Sequence, residues 1–315
     1  MKYLVTGGCG FIGSHLVDAL LAQGHQVRVL DNLSTGVVDY LPDQVELVLG
    51  DVADLAIVKG AMSEMDGCFH LAAIASVEQS NSDWVGTHKV NQQGSVNVFE
   101  AARYSGSKDS IPVVYASSAA IYGDNATIPL DETSAPRPIS AYGADKLGSE
   151  HHARVAWLNH KVSTVGMRFF NVYGPRQNPS SPYSGVISIF IDRILNNLPI
   201  SIFGDGKQTR DFIYVADVVK HLIAAMENTK GEASVFNVCT GQSTSILQLA
   251  RTLSMVAGVE VNIEHKPART GDIATSLGDP SRASARLGLR ADVGLGTGMA
   301  FTVEAMKENS LKETG

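Results

Sequence analysis

Lys2-Tyr3-Leu4-Val5-Thr6-Gly7-Gly8-Cys9-Gly10-Phe11-Ile12-Gly13 opens the chain and decides its fold. Lys2–Thr6 reads as a short buried strand, and Phe11–Gln23 as the helix that follows it. Between them, glycines at 7, 10 and 13 leave the backbone free to turn tightly and to approach a ligand closely. A helix N-terminus behind such a turn offers its amide groups to a pyrophosphate. Asp31 ends the next strand, 18 residues after Gly13. A carboxylate there accepts hydrogen bonds from an adenosine ribose. Asn32-Leu33-Ser34-Thr35-Gly36 brings no Arg or Lys to meet a 2′-phosphate, so the turn predicts NAD and not NADP.

Outward from this turn, strand and helix patterns alternate through the first 170 residues. Gln26–Leu30, Val45–Leu49, Gly67–Leu71, Ile111–Ala116 and Val162–Arg168 read as strands. Asp83–Tyr104 and Ala141–Asn159 read as helices. Such alternation predicts an α/β fold with a doubly wound parallel sheet. After Asn171 the pattern loosens into a smaller C-terminal α/β domain, expected to hold the substrate. Its predicted helices are Gly185–Asn197, Val215–Asn228, Ile246–Ala257 and Pro280–Leu287, with Asp279 as cap and Pro280 as first helical residue. Short strands are expected at Ile200–Phe203, Phe236–Val238 and Val261–His265. The domains are set at 1–170, with a returning segment near 205–240, and 171–315.

Bulk properties narrow the function. A net charge of −7 without a basic run argues against nucleic acid as a partner. Cys9, Cys68 and Cys239 show no metal-ligand spacing, so no metal is expected. Few cysteines and no signal-peptide pattern fit a reducing cytoplasm. No stretch reaches about 18 uninterrupted apolar residues, so no membrane span is expected.

The chemistry concentrates in Tyr142-Gly143-Ala144-Asp145-Lys146. Tyr142 and Lys146 share one helix face, one turn apart. Ser117-Ser118 closes the fifth strand, 24 residues before Tyr142. Ligands in such sheets bind beyond the carboxyl ends of the strands, so a serine hydroxyl there bridges a substrate oxygen and Tyr142. A phenol titrates near 10 and is a poor base at neutral pH. A nearby ammonium and a positive nicotinamide ring are expected to lower that value. The phenolate then takes a proton from a secondary alcohol as hydride leaves the same carbon. Asp51-Val52, after the third strand, either meets the adenine edge or supplies a surface-turn carboxylate. Leu71-Ala72-Ala73 ends its strand in small residues, which serve either a backbone passing close to a cofactor or tight core packing. His70 reads as a satisfied strand-end histidine. Asn91, a poor helix former at mid-helix, binds either the cofactor or a neighbouring backbone group.

Thr6–Leu16, Asp31–Gly36, His70–Ala73, Ser117–Gly123, Tyr142–Lys146, Arg168–Gln177, Gly204–Asp217 and Arg269–Asp272 together resemble an extended short-chain dehydrogenase/reductase of the nucleotide-sugar 4-epimerase group. The resemblance implies a Rossmann domain and NAD. It extends the cofactor contacts to Phe11, Ile12, Asn32, Ser34, Thr35, Gly36, Phe169 and Val172. It also implies Ser118, Tyr142 and Lys146 as the catalytic set, with Lys146 on the nicotinamide ribose. Asn171, Arg210 and Arg269 are implied at the diphosphate of a UDP-sugar, and Asp272 at the uridine ribose. Gln177, Val186 and Phe203 are expected along the same substrate path. Sugar-nucleotide dehydratases carry an Asp-Glu pair after the serine. Here Ala119 and Ala120 stand in those places, and a methyl group transfers no proton.

The resemblance also sets the expected sugar. Seven residues after Arg269, where simple galactose epimerases of the bacterial type have Tyr, this chain has Ser276. A small residue leaves room for an N-acetyl group. The Arg176-Gln177-Asn178-Pro179 loop resembles that of epimerases handling N-acetylated sugars, and Ser76-Val77 is expected to line the same pocket. The expected reaction is UDP-GlcNAc/UDP-GalNAc interconversion, with UDP-Glc/UDP-Gal also accepted. UDP-glucose 4-epimerisation proper, UDP-uronic acid 4-epimerisation and 4-ketosugar reduction stay as alternatives. The family's usual homodimer implies contact through helices 83–104 and 141–159.

Overall fold

A computed structural model describes residues 1–104, 110–179, 185–229, 231–268 and 273–313. Six strands of the large sheet come from the first 170 residues: β1 (Lys2–Thr6), β2 (Gln26–Asp31), β3 (Glu46–Leu49), β4 (Gly67–His70), β5 (Val113–Ser118) and β6 (Thr164–Phe169). The seventh, Ala233–Val238, returns from the C-terminal half and pairs with β6. All pairs are parallel, in the order Ala233–Val238, β6, β5, β4, β1, β2, β3. The direction of winding therefore reverses between β4 and β1, where a doubly wound sheet opens its ligand crevice. Thr6 lies level with His70 across that boundary, so the turn after β1 stands beside the end of β4.

β4 is buried at every position, because helices cover both faces of a parallel sheet. One face packs under Leu16, Val17 and Leu20 of the first helix and Val218, Leu222 and Ala225 of the helix Val215–Asn228. The other packs under Val58, Met62, Val98, Phe99, Ala153 and Ala156. A third cluster, with Tyr173, Ile187, Phe190, Ile200, Ile202, Leu249 and Met299, forms the core of the C-terminal part. Short strand pairs join the parts: Asn171–Tyr173 with Phe212–Tyr214, Thr209–Arg210 with Thr244–Ser245, and Ile200–Phe203 with Ile263–Lys266.

Several local expectations shift. The stretch 83–104 is not one helix. It runs as Trp84–His88, a π-turn at Lys89–Gln93, then Gly94–Ala102. A π-turn inserts one extra residue into the helical ladder. Here it falls where Asn91 turns to the loop after β4 and Gly94 closes on Val52. Two further helices were not foreseen: Leu55–Met62, capped by the Asp54 carboxylate, and Val77–Ser82, capped by the Ser76 hydroxyl. The helix after Asp279 starts at Ser281, one residue later than expected, yet Asp279 Oδ1 still accepts from Ser281 N at 2.8 Å. Among the described residues, no helix is long and apolar enough to cross a membrane.

Candidate active site

The turn after β1 leaves no room for side chains. A methyl group on Gly13 would lie 2.1 Å from the Gly7 carbonyl oxygen. Gly7 has φ +71°, and a methyl there would lie 2.7 Å from Ala72 N. Thr6 Oγ1 accepts from that same Ala72 amide at 3.2 Å, so Leu71-Ala72 packs directly on the turn. The helix Phe11–Ala22 begins at Gly10 with no side-chain cap. Its first amides are thus left to an anion, which fits a pyrophosphate.

Asp31 is buried, with Oδ2 accepting from Cys9 N at 3.0 Å and Oδ1 from Leu33 N at 2.8 Å. A carboxylate offers about four acceptor positions, so these bonds orient it while leaving capacity for a ribose. Asn32 accepts from Ser34 N at 3.0 Å and reaches Asp51 at 3.4 Å. Thr35 follows Ser34, and a methyl on Gly36 would lie 2.7 Å from Cys9 Cβ. Val52 is buried against Gly94. Phe11 and Ile12 are half-buried at the head of the helix. The dinucleotide fits this cradle of close-packed glycines, bare helix start and buried carboxylate.

Two residues are turned to the protein. Asn91 spends both amide atoms on Ile74, accepting from its N–H at 2.8 Å and donating to its carbonyl at 3.0 Å. It thereby pins the loop that follows Ala73. His70 bridges Thr6 Oγ1 at 2.8 Å and Ser95 Oγ at 3.2 Å, and burial pulls its pKa down to about 3. It is a satisfied, neutral core histidine.

The side chains expected to be catalytic come from β5 and from the helix Ala141–His160. Ser140 caps that helix by accepting from Gly143 N at 3.1 Å. Ser80 accepts from Tyr142 N at 3.2 Å. Ser118 faces the Tyr142 phenol closely enough to pull its pKa down. Lys146 is buried, donates to Ala116 O at 2.9 Å, and sits 5.8 Å from the centre of the Tyr142 ring. The expected lowering of the Tyr142 pKa counts on the nicotinamide ring as well as the ammonium, and the protein alone gives the opposite direction. Burial pushes the Tyr142 phenol above its ordinary value, and Ser118 offsets this only in part. Desolvation outweighs the protein's own stabilisation of the phenolate, because Lys146 directs its ammonium at a carbonyl. Burial likewise pulls Lys146 down to about 8, against the attraction of Asp145.

Ser117 points the other way from Ser118, as successive strand residues do. Its hydroxyl donates to Glu150 Oε1 at 2.5 Å, inside a buried pair with Arg168. Glu150, Arg168, Ser80 and Ser140 escaped the sequence reading. Ser76-x-x-Gln79 was the available signal for the helix that carries Ser80, since it is a capping pattern.

On the substrate side, Asn171 is exposed, and Phe169, Val172 and Val186 are half-buried. Gln177 Nε2 donates to Val172 O at 3.3 Å. Ser76 is buried with its hydroxyl capping its own helix, while Val77 is exposed. Phe203 ends its short strand, half-buried. Arg210 Nη1 donates to Thr209 O at 2.8 Å and to Ile273 O at 2.7 Å. Ser276 N donates to that same Thr209 carbonyl at 3.1 Å, so the expected diphosphate arginine and the expected gate share an anchor. Arg269 and Asp272 lie outside the described residues.

Over residues 3–239 the sequence matches the NAD dependent epimerase/dehydratase family. It is 38% identical, over 318 aligned positions, to the UDP-glucose 4-epimerase of Mycolicibacterium smegmatis, covering 98% of this chain and 100% of that one. The structure resembles the UDP-glucose 4-epimerase of Thermotoga maritima, solved with UDP-glucose, at TM-score 0.93 and 37% identity, covering 98% of this chain and 100% of the other. It also resembles the UDP-N-acetylglucosamine 4-epimerase of Methanobrevibacter ruminantium, solved with UDP-N-acetylmuramic acid, at TM-score 0.92 and 34% identity, covering 98% of each.

Proposed function

Because the chain belongs to the NAD dependent epimerase/dehydratase family, we propose that it inverts C4 of a UDP-sugar through a 4-keto sugar, acting on UDP-GlcNAc/UDP-GalNAc and, more weakly, on UDP-Glc/UDP-Gal. The observation that carries this reading is the convergence of Ser118, Tyr142 and Lys146 at the carboxyl end of β5. The Gly7–Gly13 turn, Asp31 and Lys146 are the groups that hold NAD. NAD, when bound, supplies reversible hydride chemistry at C4 and a positive ring near Tyr142, which offsets the rise that burial imposes on the phenol.

Tyr142 as phenolate takes the 4-hydroxyl proton, while Ser118 holds the same oxygen in line. Lys146, one helical turn from Tyr142, would hold the nicotinamide ribose when NAD is bound. Asn171, Arg210 and Arg269 retain the diphosphate, an anion well suited to guanidinium forks. The keto sugar turns about its bond to that diphosphate, and Tyr142 returns the proton with the other face presented. No net redox occurs, so the cofactor is recycled at each turnover. Ala119 and Ala120 offer no second acid or base, which leaves epimerisation in place of dehydration.

The N-acetyl preference rests on Ser276. A roomy pocket rejects smaller analogues only weakly, hence the residual activity on UDP-Glc. The test is incubation of purified protein with UDP-GlcNAc, and separately UDP-Glc, without added NAD, followed by proton NMR of the anomeric region. The C4 epimer of UDP-GlcNAc is the expected product. Turnover of UDP-Glc alone removes the Ser276 argument. Turnover of neither, with activity on a UDP-uronic acid, moves the assignment to the carboxylated sugar. We also infer a homodimer through the helices that carry Trp84, Val85 and Leu158, which are 67%, 81% and 48% exposed. Sedimentation of a Trp84→Lys variant as a monomer is the expected check. Three buried free thiols suit a reducing, cytoplasmic setting.

A further inference from the structure

One face of the helix Ala141–His160 meets the end of β5 at three successive turns. Tyr142 faces Ser118, Lys146 donates to Ala116 O at 2.9 Å, and Glu150 accepts from Ser117 Oγ at 2.5 Å. Positions four apart stack on one face of a helix, so the helix is tied to Ala116-Ser117-Ser118 residue by residue. Only the first two contacts belong to the catalytic set. In the third, the Glu150 and Arg168 side chains are 8% and 7% exposed.

Arg168, on β6, grips both Glu150 oxygens, with Nε to Oε1 at 2.9 Å and Nη2 to Oε2 at 2.7 Å. Its Nη1 donates to the Tyr122 hydroxyl at 2.8 Å, and that hydroxyl donates to Asn237 Oδ1 at 2.7 Å. Tyr122 closes the tight turn Ala119–Ile121 that follows Ser118. Arg168 thus holds the residue before Ser118 through Glu150 and the turn after it through Tyr122. The Ser118 hydroxyl accepts from Ala120 N at 3.1 Å within this clamped segment. A lone surface pair would contribute little, but a forked, buried pair fixes geometry.

We propose that Glu150 and Arg168, acting through Ser117 and Tyr122, are positioning residues that set the Ser118 hydroxyl against the Tyr142 oxygen. Neither touches the sugar. The role rests on the epimerase reading for its effect on turnover, but not for its effect on Tyr142. The test therefore reads Tyr142 directly: its phenolate absorbance is titrated with pH in the NAD-bound protein, using Tyr142→Phe to subtract the other tyrosines. Wild type is compared with Ser117→Ala, Glu150→Gln and Arg168→Lys.

In the variants the Tyr142 titration is expected to move up by about one pH unit. On the proposed substrates kcat falls roughly 10–100-fold, as a small misplacement of reacting groups does, while KM holds within about twofold. Ser117→Ala leaves the Glu150–Arg168 pair whole, so it answers the question if the charge variants do not fold. A lower Tm with an unmoved Tyr142 titration in Ser117→Ala overturns the proposal and leaves the network a merely structural one. Absence of turnover in wild type removes the epimerase reading, while the titration still decides the positioning role.

Discussion

At Gly7 and Gly13 a single methyl group would meet main-chain atoms at 2.7 and 2.1 Å. At Arg210 and Ser276, across the crevice, half-buried side chains stand on short segments anchored through the Thr209 carbonyl. The two sides of one site are therefore built differently. The cofactor side is specified by backbone packing, where almost no substitution fits. The sugar side is specified by side chains, which can change while the scaffold stays. Room for the dinucleotide's backbone is then set by the fold, whereas the proposed sugar preference turns on a few side chains.

The largest effect probes the chemistry between the two sides. Tyr142→Phe is expected to lower kcat by roughly 10²–10⁴-fold with nucleotide binding kept, read by steady-state kinetics and UDP titration. Near-normal activity would remove Tyr142 from its role. Next is Lys146, which burial pulls from 10.5 to about 8. Its charged form is thus disfavoured in the folded state, the unfolded chain binds more protons between about 8 and 10.5, and stability rises with pH across that window. Lys146→Met should stabilise the protein below pH 8 by up to about 3 kcal/mol while abolishing turnover. Thermal unfolding against pH checks it, with the gain fading as pH approaches 10.5.

Gly13→Ala addresses the backbone side. Overpacking of this kind destabilises by roughly 1–3 kcal/mol, and the protein should purify depleted of NAD, as shown by its absorbance and by cofactor release on denaturation. Retention of cofactor at wild-type level would break the contrast. Ser276→Tyr addresses the side-chain side. It should lower kcat/KM for UDP-GlcNAc about tenfold or more relative to UDP-Glc, with Tm and NAD content unchanged. Equal loss on both sugars would show that the position does not discriminate.

The same contrast explains what could be read from the sequence. Lys2–Thr6, Val215–Asn228, Ile246–Ala257 and Ile200–Phe203 carry the expected bounds, because apolar period and flanking breakers agree there. Gly7 and Gly13 were legible because only glycine meets their steric demand. The break in 83–104 was not legible, since the π-turn answers to Ile74 and Val52 across the fold and not to local propensity. The clamp of Glu150 and Arg168 was hidden for a related reason. Four charges and hydroxyls from β5, β6 and two other segments become one network only when the sheet is assembled. Tyr142 was legible as a residue, but the upward push that burial gives its phenol was not, because burial is a property of the whole fold.

The most direct test of the central claim uses UDP-GlcNAc carrying deuterium at C4, incubated with the purified protein in ordinary water. The account predicts UDP-GalNAc that keeps deuterium at C4, since Tyr142 exchanges only the hydroxyl proton and the hydride returns to the carbon it left. Loss of the label to solvent would contradict it, showing that C4 is inverted by proton abstraction and not by reversible oxidation.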